Sequence, residues 1–263
     1  MKAFVVRCEY EDGDSYEWPR FVVLGKRADV LADRMIEYAG SISPVDWKLQ
    51  PNAIETRQFD VQNWLAMQES TGWTNQLFVA IAGTLSGEEC SLLDRVLALS
   101  GQHCVIVADA HTPLQATWQS VIRLPPHRSW DAQWAWGIRV VLDVLLEAAV
   151  QRGLICFCPD DVRICLEGRY SELAVAHAEG EDRAVVAVEK VLQALSGRMD
   201  LALAEAFILS FHAGSDIRMR EIHLGLERLK DVIVREDVTI MSDMVWTEDR
   251  RFAVSLIASA PFA

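Results

Sequence analysis

The sequence predicts an α/β protein built as two lobes around one long helix, and three observations carry that reading. A strand, a loop, a helix and a second strand follow one another between Leu77 and Ala108, the order of a βαβ unit. The stretch from Trp130 to Gln151 is apolar on nearly every face, as a helix held between two bodies must be. Beyond it, helical and strand-like segments alternate again from Glu181 to Ser259, enough for a smaller α+β lobe. The predicted organisation is a parallel-sheet lobe over 1–129, a central buried helix over 130–152 and a C-terminal lobe over 153–263.

Taken in order, Ala3 to Cys8 and Phe21 to Leu24 are strand-like runs separated by the acidic, turn-rich Glu11 to Glu17, so a hairpin and two separate strands both fit. Ala28 to Tyr38 reads as a helix with Val30, Leu31, Met35 and Ile36 on its buried face, ended by Gly40. From Ser41 to Asn75 the pattern is weak and broken by Pro44 and Pro51, which predicts loops and a short helix near Val61 to Gln68. The apolar run Leu77 to Ala82, a helix carrying Leu92, Leu93, Val96 and Leu97, and the apolar run Cys104 to Ala108 predict neighbouring parallel strands joined by a right-handed crossover. In the long helix Arg139, Asp143 and Glu147 fall at i, i+4 and i+8, a single narrow stripe that leaves the other faces for burial. Val162 to Leu166 follows, then a helix from about Glu181 to Leu195, a strand at Ala206 to His212, a helix at Arg220 to Val234, and strands at Val238 to Val245 and Phe252 to Ser259.

Composition removes several function classes. Of 263 residues 51% are hydrophobic, which excludes a disordered chain. The greasiest stretch, Ile138 to Val150, is interrupted by three charges, whereas a membrane span needs roughly 20 apolar residues. With 38 acidic against 25 basic residues and no basic stripe, the surface repels phosphodiester backbones, so no nucleic acid partner is expected. Met1 to Tyr10 carries Lys2 and Arg7 and does not read as a signal peptide, so the expected location is cytoplasmic. The six cysteines are too scattered for a disulfide scaffold and are expected reduced and mostly buried.

Three runs carry a resemblance. Cys156-Phe-Cys-Pro-Asp-Asp-Val-Arg163 looks like a loop leading from the central helix into the second lobe, Gly180-Glu-Asp-Arg-Ala184 like a helix-opening segment, and Phe211-His-Ala-Gly-Ser-Asp-Ile217 like a strand-end turn. In this order they resemble the FtsZ/tubulin superfamily, FtsZ in particular, over roughly Leu77 to Ala260 and in part over Phe21 to Tyr38. The resemblance implies the two-lobe fold, GTP binding by the first lobe, and hydrolysis completed by acidic residues from the second lobe of the next subunit in a filament. It also implies that the adaptor-binding tail of FtsZ would lie beyond Ala263, so attachment to a membrane through those adaptors is not expected.

Against that pattern the sequence departs in the phosphate loops, the guanine-reading pair and the hydrolytic loop. Phosphate loops need glycines, because backbone amides and helix N-termini must approach the anion closely. The first loop reads Gly25-Lys-Arg-Ala-Asp29, with one glycine; Lys26 and Arg27 offer charge for an anion or pair with acids nearby. The second, a glycine run in the family, reads Gly83-Thr-Leu-Ser86-Gly87-Glu88-Glu89. Ser86 and Glu89 have capping-box spacing, by which the helix satisfies its own N–H groups. An incoming phosphate would meet two carboxylates, each costing on the order of 4 kcal/mol at about 4 Å and an effective dielectric near 20. Where the family reads guanine with an Asn-Asp pair, the alignment places Ala135 and Trp136, and the indole would fill the pocket. The family's hydrolytic Asn-x-Asp-x-x-Asp maps onto Cys156, Cys158 and Asp161, leaving one carboxylate.

Other candidates are weaker. Cys156-x-Cys158 with Cys165 and His177 lacks the spacing of a zinc site, so no metal is expected, and no histidine is placed to activate a cysteine nucleophile. Trp134 and Trp136 either line a site for an aromatic ligand or restore packing in a vacated cavity. Asp160, Asp161 and Arg163 are the interface candidates, on the face that docks against a neighbouring subunit in the family. The functional expectation is a non-catalytic FtsZ-like protein without cofactor, acting through protein contacts with FtsZ or itself, for example by capping filaments. The alternatives are a nucleotide-dependent GTPase or filament former with a remodelled site, and nucleotide-independent self-assembly.

Overall fold

A computed structural model describes residues 1–9, 15–25, 28–41, 53–71, 78–82, 85–100, 104–126, 141, 144, 159–233, 235–247 and 251–262. Among them ten strands form one sheet: β1 (Lys2–Glu9), β2 (Ser15–Leu24), β3 (Ala53–Gln58), β4 (Phe78–Ala82), β5 (Cys104–Ala108), β6 (Val121–Arg123), β7 (Arg169–His177), β8 (Ala206–Ala213), β9 (Thr239–Trp246) and β10 (Ala253–Pro261). Their spatial order is β3-β1-β2-β4-β5-β6-β7-β10-β8-β9.

The open question at the N-terminus resolves as an antiparallel β1–β2 pair, with Lys2 opposite Val23 and Glu9 opposite Ser15. From β2 the sheet runs parallel through β4, β5, β6 and β7. The βαβ expectation holds: α3 (Gly87–Ser100) crosses from β4 to β5, and Phe78 pairs with Cys104. In the second lobe β10 lies antiparallel between β7 and β8, and β9 runs parallel to β8. Helices α1 (Ala28–Ser41), α2 (Val61–Thr71), α4 (Pro159–Leu166), α5 (Arg183–Ser196) and α6 (Met219–Lys230) complete the elements used below.

Two apolar clusters anchor the lobes. Leu65, Leu93, Val96, Ile106 and Trp118 are buried in the first, and Val188, Leu195, Phe207, Phe211 and Leu256 in the second. Of the central helix only Val141 and Val144 are described; both are helical and buried, and the rest lies outside the described residues.

Several local expectations are corrected. Val30 is 48% exposed, because the buried stripe of α1 passes through Ala28, Leu31, Ala32 and Met35, the i, i+3, i+4, i+7 set that excludes it. The weak region Ser41 to Asn75 contains strand β3 at the sheet edge, where polar side chains suit a strand with one neighbour. Strands β6 and β7 were not foreseen. In β7 Ser171 and Glu172 are buried polar residues, which removes the alternation that would mark a strand.

At Gly225 in α6 the backbone meets β8 closely: a Cβ there would sit 2.8 Å from Phe211 Cε1 and 2.9 Å from its Cζ. Gly225→Ala is therefore expected to destabilise by about 1 kcal/mol, overpacking of about 2 kcal/mol outweighing a helix-propensity gain of about 1 kcal/mol. Thermal denaturation checks the sign; a stabilised variant would mean that the Phe211 ring shifts freely.

Candidate functional site

In a parallel sheet, the loops at the carboxyl ends of the strands gather at one edge, where α/β proteins place ligands. Here three such loops meet. After β2 the chain turns at Gly25, whose φ of 90° lies in the left-handed region that glycine adopts without strain, and Ala28 N donates to Gly25 O (3.0 Å). After β4 it enters α3 through Ser86 and Gly87, and after β5 it turns at Asp109.

The start of α3 is a closed capping box. Glu89 N donates to Ser86 Oγ (3.3 Å), while Ser86 N and Ser86 Oγ both donate to Glu89 Oε2 (2.9 Å each). The other carboxylate oxygen reaches further: Gly25 N, 64 residues away, donates to Glu89 Oε1 at 2.7 Å. One side chain thus collects donors from the turn after β2 and from the helix start after β4. Burial pushes the Glu89 carboxyl up, but the hydrogen bonds from Ser86 and Gly25 outweigh it and hold the group below its ordinary value. Chemically this is a seat for a single anion, and a side chain of the chain itself occupies it.

Gly87 makes no close approach; a Cβ there would meet nothing within 4 Å. Glu88 is exposed on the first turn of α3. Gly83, Lys26, Arg27, Trp134 and Trp136 lie outside the described residues, as do Cys156 and Cys158.

Asp109 was not singled out in the sequence, although Asp-Ala-His-Thr-Pro carries a turn signal. It is 9% exposed and accepts from His111 N (2.7 Å) and Thr112 N (2.9 Å), which fixes the loop after β5.

The interface candidates stand on a helix rather than in a loop. The segment ending at Arg163 is not a loop from Pro159 onward: Pro159 opens α4, where proline's fixed φ and missing N–H suit a first helical position. Asp160, Asp161 and Arg163 therefore lie on the first turns of a helix, and Arg163 Nε lies 3.8 Å from Glu167 Oε2, one turn on. Cys165 on the same helix is fully buried, and burial pushes its thiol up to about 12, the state of an inert apolar side chain. Among the described residues no group of three or more His, Cys, Asp or Glu is placed to hold a metal ion, and no helix is long and apolar enough to cross a membrane.

No family model and no curated protein sequence matches the chain. Solved structures do. A mutant FtsZ from M. jannaschii matches with a TM-score of 0.57 at 14% identity, over 77% of this chain and 69% of that one. An empty FtsZ dimer from the same organism matches with 0.57 at 14%, over 74% and 66%. TubZ of Bacillus thuringiensis serovar israelensis, in a GTPyS-form protofilament, matches with 0.53 at 8%, over 77% and 66%. The fold is that of FtsZ and TubZ.

This chain spans about two thirds of the length of those FtsZ and TubZ chains. Within the FtsZ-like fold, two of the runs that carried the resemblance meet in space. Arg183, from Gly180 to Ala184, donates through Nη1 to Asp216 Oδ2 (2.8 Å) in the turn after β8. Its Nε and Nη2 fork onto Glu221 of α6 (2.7 and 3.3 Å), and the guanidinium lies 4.9 Å from the centre of the Phe252 ring. The site residues of the first lobe and the Arg183 hub of the second are thus separate constellations, one an anion seat and the other an ion-paired clamp.

Proposed function

We propose that this chain is a non-catalytic FtsZ-like protein that works through protein contacts, its anion seat filled by Glu89 in place of a nucleotide phosphate. The observation that carries the reading is the convergence of Gly25 N, Ser86 N and Ser86 Oγ on one carboxylate. Backbone amides at loops and helix starts are what a GTP-binding relative offers a phosphate, and here the amides of Gly25 and Ser86 are engaged internally. The side chain also brings a negative charge to the seat, so a triphosphate would have to displace it and overcome like-charge repulsion.

With no nucleotide of its own, the protein would act by docking on a partner. Asp160, Asp161 and Arg163, on the first turns of α4, are the contact residues of this reading, and the partner would be FtsZ or a second copy of this chain. The test is assembly: substoichiometric protein added to FtsZ polymerising with GTP is expected to shorten or reduce filaments, followed by light scattering and electron microscopy. Unchanged FtsZ assembly would rule out capping. Filaments of this chain alone, without nucleotide, would favour self-assembly.

A second reading, a nucleotide-dependent filament former with a remodelled site, draws on the TubZ neighbour, whose protofilament is in a GTPyS form. It would assign anion binding to Lys26 and Arg27 and hydrolysis to Asp161. The two readings part on whether GTP changes the stability of the protein.

A further inference from the structure

The sheet passes from the first lobe to the second through a narrow seam. Strand β6 has three residues, and its pairs with β7 are Val121 with Tyr170, Ile122 with Ser171 and Arg123 with Glu172. The joint is polar where most of the sheet is apolar. Gly168 N donates to Ser120 Oγ (2.7 Å), and Ser171 and Ser259 share a hydroxyl hydrogen bond of 2.8 Å.

At its centre stands Glu172, 3% exposed. Arg198, just beyond α5, reaches Glu172 Oε2 at 2.6 Å and Leu173 O at 2.7 Å, and the Tyr170 hydroxyl donates to Glu172 Oε1. From the other lobe, the Arg123 guanidinium lies beside the Tyr170 hydroxyl and within electrostatic reach of Glu172. Arg123 has a second hold: its Nη2 donates to Thr112 O, in the loop that Asp109 fixes after β5. Among the described residues its Nε is buried and has no hydrogen-bond partner, so the guanidinium is held through its Nη atoms.

We infer that Arg123, Glu172, Tyr170 and Arg198 form a latch between the lobes, through which the position of the loop 109–112 is coupled to β7 and α5. A buried carboxylate facing two arginines from different bodies is sensitive to the loss of either one, because the remaining charge is left in a poorly solvated place. The β6–β7 pairing is three residue pairs long, so release of the latch would fall on it directly and reach both β7 and the loop that Arg123 holds. A change in the 109–112 loop that draws Arg123 away would loosen the grip on Glu172 and free the seam.

Hydrogen exchange on the full chain tests this. Glu172→Gln is expected to raise exchange at least tenfold in peptides covering 121–123 and 169–173 and in the 109–112 loop, while β8 and β9 keep their protection. Arg123→Gln should give the same pattern, and it decides the matter if Glu172→Gln does not fold. Arg198→Gln should loosen β7 and the end of α5 and, through Glu172, raise exchange in 109–112 to a smaller degree. A uniform rise across the whole chain in Glu172→Gln and Arg123→Gln would reduce these residues to general stabilisers and overturn the latch. An unchanged 109–112 loop in Arg123→Gln would overturn the coupling.

Discussion

Glu89→Ala is expected to lose stability and gain an anion site in one step. The variant gives up the Glu89 half of the capping box, worth about 0.5 kcal/mol, while Ser86 Oγ still accepts from residue 89 N. It also leaves Gly25 N without the charged acceptor at 2.7 Å, a hydrogen bond worth about 1.5 kcal/mol or more. A loss of about 2 kcal/mol corresponds to a melting temperature roughly 4–8 °C lower for a chain of this size. With the side-chain carboxylate gone, the donors at Gly25 and Ser86 face solvent, and inorganic phosphate or GDP should restore part of the lost stability in the variant alone. Recovery in the native protein as well would show that the seat is open in both. The pH dependence has a defined sign. The folded carboxyl titrates below its ordinary value of 4.5, so its contribution is fully present above about pH 4.5 and is lost as pH falls through the folded value. The advantage of the native protein over Glu89→Gln should therefore hold near neutral pH and shrink in acid.

The second large effect belongs to Arg183→Ala. The fork onto Glu221 joins partners with side-chain exposures of 13% and 15%, so removing the guanidinium leaves a largely buried carboxylate without its counter-charge, held by the Arg218 N–H (2.9 Å), and uncovers the Phe252 ring. Asp216 is 58% exposed and adds little. A loss of about 3 kcal/mol, or roughly 6–12 °C in melting temperature, is expected. Arg183→Lys should recover less than half, because an ammonium cannot fork onto a carboxylate or stack as a plane. Melting of Arg183→Ala within a degree of the native protein would show that the turns after β7 and β8 hold without it.

Much of this was legible because it is local. Ser86 and Glu89 stand three residues apart, and the capping box that spacing predicts is the one formed. The helix face of α3 follows from periodicity, and the βαβ unit from runs bounded by turn residues, whereas the pairing of β1 with β2 was left open. What could not be read is what tertiary contact creates. Sequence suggested that Glu89 would repel a phosphate, but the reach of its second oxygen to Gly25, across 64 residues, has no local signature. Strand β7 was missed because Ser171 and Glu172 read as surface residues; they are buried only because Ser259, Tyr170 and Arg198 satisfy them. The meeting of Arg183 with Asp216 and Glu221 was foreshadowed by the order of two motifs, and its geometry needed the fold.

If Glu89 stands where a nucleotide phosphate would otherwise bind, the protein has no room for a nucleotide. The most direct test is the melting temperature of the unmodified protein in millimolar GTP, GDP and ATP. A ligand at a hundredfold excess over its Kd adds about 2.7 kcal/mol of stability, roughly 5–10 °C here. The account predicts melting curves that superimpose with and without each nucleotide; a clear upward shift with GTP would contradict it.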